Sequence, residues 1–297
     1  MKRVLLSLAL FGIFGTVAAQ NLRVVFVDGG VSQARGTGWV GLALDDSLSA
    51  DAVIRLEKDG YVEISGSGVR LALSRAGIYQ LNAILAKRRG MDAGGLGAML
   101  TRVAGTLSSG PAANAATAAG VRGEAQEGGA GPEWVTSDTT MYLDAAKAYI
   151  SAGSYELAVE QLKEGLAAAS PEELPEIRFY LAEASALDGR TREALLWLKE
   201  AEPRGGEEWA GDFWLLRAKL LVDTMAYDEA VALLEGKAAG QAASARREGL
   251  YRVTLAAAYR GTGNAAGERE QLRRLVAMGP DTELGKAAAA ILAAGGQ

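Results

Sequence analysis

Three pairs of adjacent acidic residues are the side chains of this sequence most able to do chemistry. Asp45-Asp46, Glu172-Glu173 and Glu207-Glu208 are candidates for glycoside cleavage by an acid and base pair, or for binding an oxygen-ligated metal ion. One pair follows a proline at a predicted hairpin turn, and the others lie in a turn and in a glycine-flanked loop. We therefore expect turn roles for all three pairs and no catalytic residue among them.

The composition removes several classes of enzyme. The 297 residues include no His and no Cys, which excludes Ser-His-Asp and Cys-His nucleophile pairs and the common zinc and copper sites. It also excludes disulfides and lipidation at an N-terminal cysteine. The net charge of −5 gives no indication of a nucleic-acid partner. We predict a protein that is not an enzyme and that uses no cofactor or metal.

The first 19 residues have the pattern of an export signal. Lys2 and Arg3 precede an apolar run, 4–17, and small residues stand before position 20. An uncleaved membrane anchor is the alternative, although the run is shorter than the roughly 18 to 20 apolar residues that a spanning helix needs. We expect cleavage after Ala19, export to the periplasm or cell envelope, and no integral membrane segment in the mature chain.

Composition divides the rest of the chain into three parts. Residues 20–105 are rich in Val and Gly with alternating patterns, and residues 137–297 are rich in Ala, Leu and Glu. Residues 106–136 between them are mostly Gly, Ala and Ser, which cannot bury enough apolar surface to offset their ordering entropy. This middle part is predicted to be a flexible linker between two domains.

Alternating apolar and polar residues predict antiparallel hairpins in the first part. The runs 22–27, 53–56, 62–64 and 69–73 have this alternation or are apolar, and Gly or Asp turns separate them. Apolar residues at helical spacing then predict trailing helices over 78–89 and 96–103. Gly90 and the Gly94-Gly95 pair are expected to separate these helices.

The segment 38–73 has a distinctive order of aromatic, apolar, acidic and turn residues. These are Trp39, Leu42, Asp46, Leu48, Asp59, Gly60, Val62, Glu63, Val69 and Leu71. In this pattern the segment resembles a FecR-like domain, although Asp45 stands where this family usually has Gly. The resemblance implies an extracytoplasmic β module. For Trp39 we expect a core position, with a ligand platform as the alternative.

Small and large residues recur at a fixed interval in the C-terminal part. Ala158, Ala194 and Ala230 are spaced by 36 residues, and a Leu follows each of them by four. A period in this range is typical of stacked helical hairpins. Small residues let two helices approach closely, while large residues fill the gap to the next hairpin.

The four hairpins resemble tetratricopeptide repeats. Gly153, Gly189 and Gly263 stand at the turn of three repeats, and Met225 replaces glycine in the third. A final capping helix is predicted over 282–294. Together the patterns predict a mixed fold of two domains, in which a small antiparallel β-sandwich-like domain precedes an all-α tetratricopeptide-like solenoid.

The resemblance also implies which side chains line the inner surface of the solenoid. They are Leu143, Lys147, Ile150, Glu176, Phe179, Glu183, Asp212, Leu215, Lys219, Val222, Leu250, Val253 and Arg260. The predicted partner-binding residues among them are Lys147, Ile150, Phe179, Glu183, Leu215, Lys219 and Arg260. For each one, packing against the neighbouring repeat is the alternative. The surface lacks the basic cluster that clamps a peptide carboxylate in some family members, so an amphipathic helix or extended segment fits better.

These features predict a non-enzymatic exported scaffold that binds another protein or peptide segment through the helical-repeat groove. The alternative is a cell-wall protein that binds peptidoglycan or another glycan through the β domain. A third hypothesis, a transmembrane signalling regulator, requires an uncleaved N-terminus.

Overall fold

The structure is a computed structural model of the chain. It describes residues 22–100, apart from 67 and 94, and residues 138–295, apart from 239–243. The predicted export signal, 1–19, and the predicted linker, 106–136, lie outside the described residues. Within the described ranges a β region comes first and an all-helical region follows, which confirms the predicted mixed fold of two domains.

The β domain consists of two antiparallel sheets. Its strands are β1 (Leu22–Asp28), β2 (Val31–Arg35), β3 (Gly38–Gly41), β4 (Ser47–Leu48), β5 (Val53–Leu56), β6 (Tyr61–Gly66), β7 (Val69–Leu73) and β8 (Gly77–Gln80). One sheet has the strand order β4-β1-β6-β7 and the other has the order β3-β2-β5-β8.

Apolar side chains of the two sheets form one core. Val24 pairs with Ile64 in the first sheet, and Ile54 lies at the centre of the second; all three are fully buried. In β5 and β7 every second side chain is buried, as the pleat of a strand requires, whereas in β6 the side chains of Tyr61 and Glu63 on the other face are buried as well. Leu81 and Leu85 from the helix that follows β8 complete this core.

The trailing helices begin and end at other residues than predicted. Residues 78–80 belong to β8 and not to a helix, because they pair with β5 and because Ile and Tyr fit a strand well. Helix α1 (Leu81–Ala93) then runs through Gly90, a single glycine that costs a helix only about 1 kcal/mol. A second helical segment, α2, covers residues 96–100.

Trp39 is not in the core, so the predicted core position is wrong. It lies on β3, whose four residues are all exposed, and its side chain is 38% exposed. Trp39 pairs with Ala34, which is on the face of β2 opposite to the buried Val31. On this outer face the guanidinium carbon of Arg55 lies 4.6 Å from the centroid of the Trp39 ring.

The helical domain is a stack of hairpins. Its helices are α3 (Asp138–Ser151), α4 (Tyr155–Ala168), α5 (Leu174–Leu187), α6 (Thr191–Lys199), α7 (Ala210–Asp223), α8 (Tyr227–Glu235), α9 (Ala245–Thr262), α10 (Ala265–Met278) and α11 (Glu283–Ala294). Helices α3 and α4, α5 and α6, α7 and α8, and α9 and α10 pack as hairpins, and each hairpin also contacts the next one.

The alanines of the 36-residue period are buried. Ala158, Ala194 and Ala230 lie on α4, α6 and α8, and the leucines that follow them by four residues are buried as well. These second helices also contact the first helix of the next hairpin. The period therefore reflects the packing of these second helices within the stack, both in their own hairpin and on the next one.

Each hairpin turns through one residue in the left-handed backbone region. These residues are Gly153, Gly189, Met225 and Gly263, with φ of 75°, 78°, 61° and 81°. At every turn the next amide N–H donates to the carbonyl five residues earlier, as in Ala226 to Leu221 at 2.8 Å. This bond closes the end of each first helix in a Schellman motif and directs the chain into the second helix.

Two glycines inside helices test how closely the hairpins pack. A β-carbon on Gly261 of α9 would lie 2.2 Å from a ring carbon of Tyr227, whereas one on Gly90 of α1 would meet no atom within 4 Å. We expect Gly261→Ala to lower the free energy of unfolding by about 1 to 3 kcal/mol through overpacking. Gly90→Ala should raise it by about 0.5 to 1 kcal/mol. Urea unfolding of both variants checks this, and equal effects would contradict the close approach of α8 and α9.

Candidate functional site

The first helices of the hairpins lie side by side and form one surface, which we call the inner face. Helix α5 contacts both α3 and α7, and α7 contacts α9. This surface carries the residues predicted to line the groove. All of those residues are buried or half-buried, so the inner face is much less open than the sequence suggested.

Three of the predicted binding residues have packing positions. Ile150 is buried in a core formed by α3, α4 and α5, and Phe179 and Leu215 are buried in the larger core of the later hairpins. The Phe179 ring stacks on Trp209 with centroids 5.3 Å apart. Their burial agrees with the packing alternative, and contact of these residues with a partner stays a prediction.

Paired charges run across the half-exposed part of the inner face. The Lys147 ammonium on α3 lies 3.4 Å from the Glu176 carboxylate on α5 and 4.6 Å from the centroid of the Tyr180 ring. Farther along, Arg247 of α9 donates to both carboxylate oxygens of Asp212 on α7, at 2.9 and 2.6 Å. Each pair joins two neighbouring hairpins, and the side chains keep part of their surface in water.

Glu183 is the buried charge of this surface. Its side chain lies on α5 and only 5% of the residue is exposed. Burial, with a smaller contribution from the charge of Asp212, raises the pKa of Glu183 to about 7, and Arg246 and Lys147 oppose the shift. The carboxyl group therefore changes charge near neutral pH.

The remaining predicted binding residues are paired with acids of the same hairpin. Lys219 pairs with Asp223 one turn later on α7. Arg260 at the end of α9 donates from Nε to Glu268 on α10 at 2.9 Å. Lys219 also lines a cavity between the helical domain and the β domain, which brings it close to parts of the chain that the sequence did not connect with it.

The three acid pairs hold turns. Asp46 accepts a hydrogen bond from the Ala43 amide at 2.8 Å, and Glu173 accepts from the Ser170 amide at 2.9 Å. Glu207 accepts from the amides of Arg204 and Gly205 at 2.9 and 2.7 Å. Backbone hydrogen bonds, with its own amide first, lower the pKa of Glu207. In the described ranges no cluster of three or more acidic side chains could hold a metal ion.

The segment formed by α1 and α2 lies against the helical domain, a contact that sequence reasoning missed. Met91, Leu96, Met99 and Leu100 are buried in one core with residues of the later hairpins. Helix α1 contacts α9 directly. The sequence signal was the apolar spacing of Leu96, Met99 and Leu100, which predicted a helix but did not show which surface would cover it.

Polar contacts join the β domain to α6. The Tyr61 hydroxyl donates to the buried Glu63 at 2.7 Å and accepts a hydrogen bond from the Thr191 hydroxyl. Arg192 donates to Asp28 at 2.7 and 3.0 Å and lies over the Tyr61 ring. Burial is the main cause that raises the pKa of Tyr61, and the hydrogen bond to Glu63 and the charge of Glu63 add to the shift.

Met225 connects the two cores. Its side chain packs against the core of the β domain and against that of the helical domain. It borders a cavity together with Ile84 of α1 and Tyr79 of β8. In the sequence Met225 stands where the other repeats have the turn glycine, and this departure is the signal for the contact.

Comparison with protein-family models, with curated proteins and with solved structures finds no match to the chain. The FecR-like and tetratricopeptide resemblances therefore stay predictions. Across the ranges that the structure describes, no helix has both the length and the apolar character that crossing a bilayer requires.

Glu183 makes the stability of the protein depend on pH. Because its pKa is raised from 4.5 to about 7 by folding, its stabilising contribution is complete below pH 4.5 and is lost as the pH rises through 7. The wild type should lose roughly 3 kcal/mol of unfolding free energy from this group between pH 4.5 and pH 8, and Glu183→Gln should not. The variant should therefore become more stable relative to the wild type by that amount as the pH rises. Urea unfolding at several pH values measures this, and parallel pH profiles for the two proteins would contradict it.

Proposed function

We propose that the protein is a non-enzymatic scaffold, exported to the periplasm or cell envelope, that binds another protein through its helical hairpins. The observation that carries the proposal is the continuous surface formed by α3, α5, α7 and α9. Stacked hairpins of this kind present extended binding surfaces. The export pattern of residues 1–19 supports the location.

The half-exposed charges are where a partner would meet this surface. Lys147 and Glu176 at one hairpin boundary, and Asp212 and Arg247 at another, offer both signs of charge around the Tyr180 ring. Charged groups that keep contact with water contribute more to the choice and the rate of association than to raw affinity. A partner segment that carries charges of both signs fits this arrangement.

Charge reversal at Lys147 tests the scaffold function. We expect Lys147→Glu to abolish most of the partner recovered by crosslinking in cells, because it places a second acid beside Glu176 and removes one of the two cations of this arrangement. Lys163→Glu is the matched control: Lys163 is also exposed and also pairs with an acid of the next hairpin, but on the second helix α4. The Lys163→Glu variant should retain the partner.

Two results of this experiment would overturn the scaffold proposal. One is the absence of any specific crosslinked protein with the full-length wild type. The other is equal loss of the partner in the Lys147→Glu and Lys163→Glu variants. The loss would then not depend on whether the changed charge lies on the inner face.

The exposure of Trp39 favours a second candidate function, binding of peptidoglycan or another glycan by the β domain. The Arg55 guanidinium lies over the Trp39 ring, and Trp39 is still 38% exposed on the outer sheet face, which leaves aromatic surface that is suited to stack on a sugar ring. We expect Trp39→Ala to reduce sedimentation of the full-length protein with purified peptidoglycan at least about fivefold. Equal sedimentation of variant and wild type would exclude a role for this ring.

A further inference from the structure

Glu183 is a buried carboxylate without a partner. It lies on α5, and only 5% of the residue is exposed. Among the described residues no group donates a hydrogen bond to this carboxylate, and no cation lies within ion-pair distance of it. Buried polar groups in proteins are hydrogen-bonded and buried charges are paired, because leaving them alone is costly. A group that could pair with Glu183 is therefore missing from the free protein.

The carboxylate of Glu183 opens toward the inner face. In the described ranges the fully enclosed side-chain polar atoms without a partner belong to Arg55, Arg178, Ser185 and Arg190. The oxygens of Glu183 have no partner either but are not enclosed to that degree, so part of the remaining exposure lies on the carboxylate itself. Its charged neighbours Lys147 and Asp212 belong to the half-exposed part of the inner face, which is the side of this opening.

The groups around this opening include more acids than bases. Four carboxylates act on the Tyr180 hydroxyl, one turn before Glu183 on α5: Glu183, Glu176, Asp212 and Glu208. The cations of the same region come from α3 and α9: Lys147, Arg246 and Arg247. Lys147 pairs with Glu176, and Arg247 pairs with Asp212. Of these cations only Arg246 then remains to face Glu183, and it lies beyond ion-pair distance.

We propose that this opening binds an arginine side chain of the partner, whose guanidinium pairs with Glu183 beside the Tyr180 ring. A guanidinium is suited to the position because it binds a carboxylate through two parallel hydrogen bonds, is weakly hydrated and stacks on aromatic rings. The ammonium of Lys147, 4.6 Å from the ring centroid, shows that Tyr180 accepts a cation nearby. The proposal rests on the scaffold function, since it names the partner residue that the inner face recognises.

Protonation of Glu183 competes with this binding. Burial, followed by the charge of Asp212, raises the pKa of Glu183 to about 7, so near neutral pH much of the free protein carries an uncharged carboxyl group. A cation that binds the ionised form lowers this pKa, and the same coupling weakens its binding as the pH falls. Arginine and the proton are therefore alternative ligands of one carboxylate.

Nuclear magnetic resonance of the full-length protein with isotope-labelled Glu carboxyl groups follows this coupling directly. The probe is Nα-acetyl-arginine methylamide, and its control at equal ionic strength is Nα-acetyl-citrulline methylamide, which has nearly the same shape without the charge. We expect the arginine probe at high concentration to lower the titration midpoint of Glu183 by at least about half a pH unit. The citrulline compound should leave the midpoint at about 7.

Variants of the chain test whether Glu183 is the binding group. Glu183→Gln identifies the resonance, because its signal disappears. At pH 8 the arginine probe should bind the wild type at least about fivefold more tightly than it binds Glu183→Gln, and the difference should vanish at pH 5.5. Glu160→Gln, which removes an exposed acid of α4, is the matched control and should bind like the wild type.

Equal titration midpoints of Glu183 with the arginine and the citrulline compounds would overturn the proposal. An equal shift with Nα-acetyl-lysine methylamide would overturn the choice of arginine over other cations. The measurement needs no cellular partner, so a negative result here and a negative result of the crosslinking experiment are distinguishable.

Discussion

The helical domain depends on one backbone constraint, the left-handed residue that ends the first helix of every hairpin. At this residue the chain leaves the helix, the next amide satisfies a free carbonyl of the last turn, and the second helix can fold back on the first. Glycine adopts this conformation without steric cost, whereas another residue costs about 1 to 2 kcal/mol. Repeated at a nearly constant interval, the turn brings Ala158, Ala194 and Ala230 into equivalent buried positions.

The third turn shows how the same constraint fastens the two domains together. Met225 accepts the strained backbone, and its side chain packs on both cores. The strain at this turn is offset by burial of an apolar side chain that glycine does not have. With the buried residues of α1 and α2, and with the polar contacts of Tyr61 and Arg192, Met225 fastens the β domain to the helical stack.

The sequence predicted the features that depend on residues close together in the chain, such as hairpin turns and strands. The period of small residues predicted the hairpins, apolar runs closed by turns predicted β1 and β5, and alternation predicted β6 and β7. The two noted departures from a motif glycine, Asp45 and Met225, are the non-glycine residues with positive φ in the described parts of the chain. The residues of β8 were assigned to a helix because the apolar spacing of the helix that follows extends into them, and their pairing with β5 decides for a strand. Trp39 and the α1–α2 contact depend on which surface covers them, and one sequence does not contain that information.

The most direct test of the role of Met225 in joining the two cores is amide hydrogen exchange of the Met225→Gly variant, combined with a measurement of its unfolding free energy. Glycine should leave the stability of the helical stack unchanged or slightly raised, because it relieves the turn. The amides of α1 should exchange faster than in the wild type, because the contact between the cores is lost. Unchanged exchange in α1, or a stack destabilised as by a core deletion, would contradict the account.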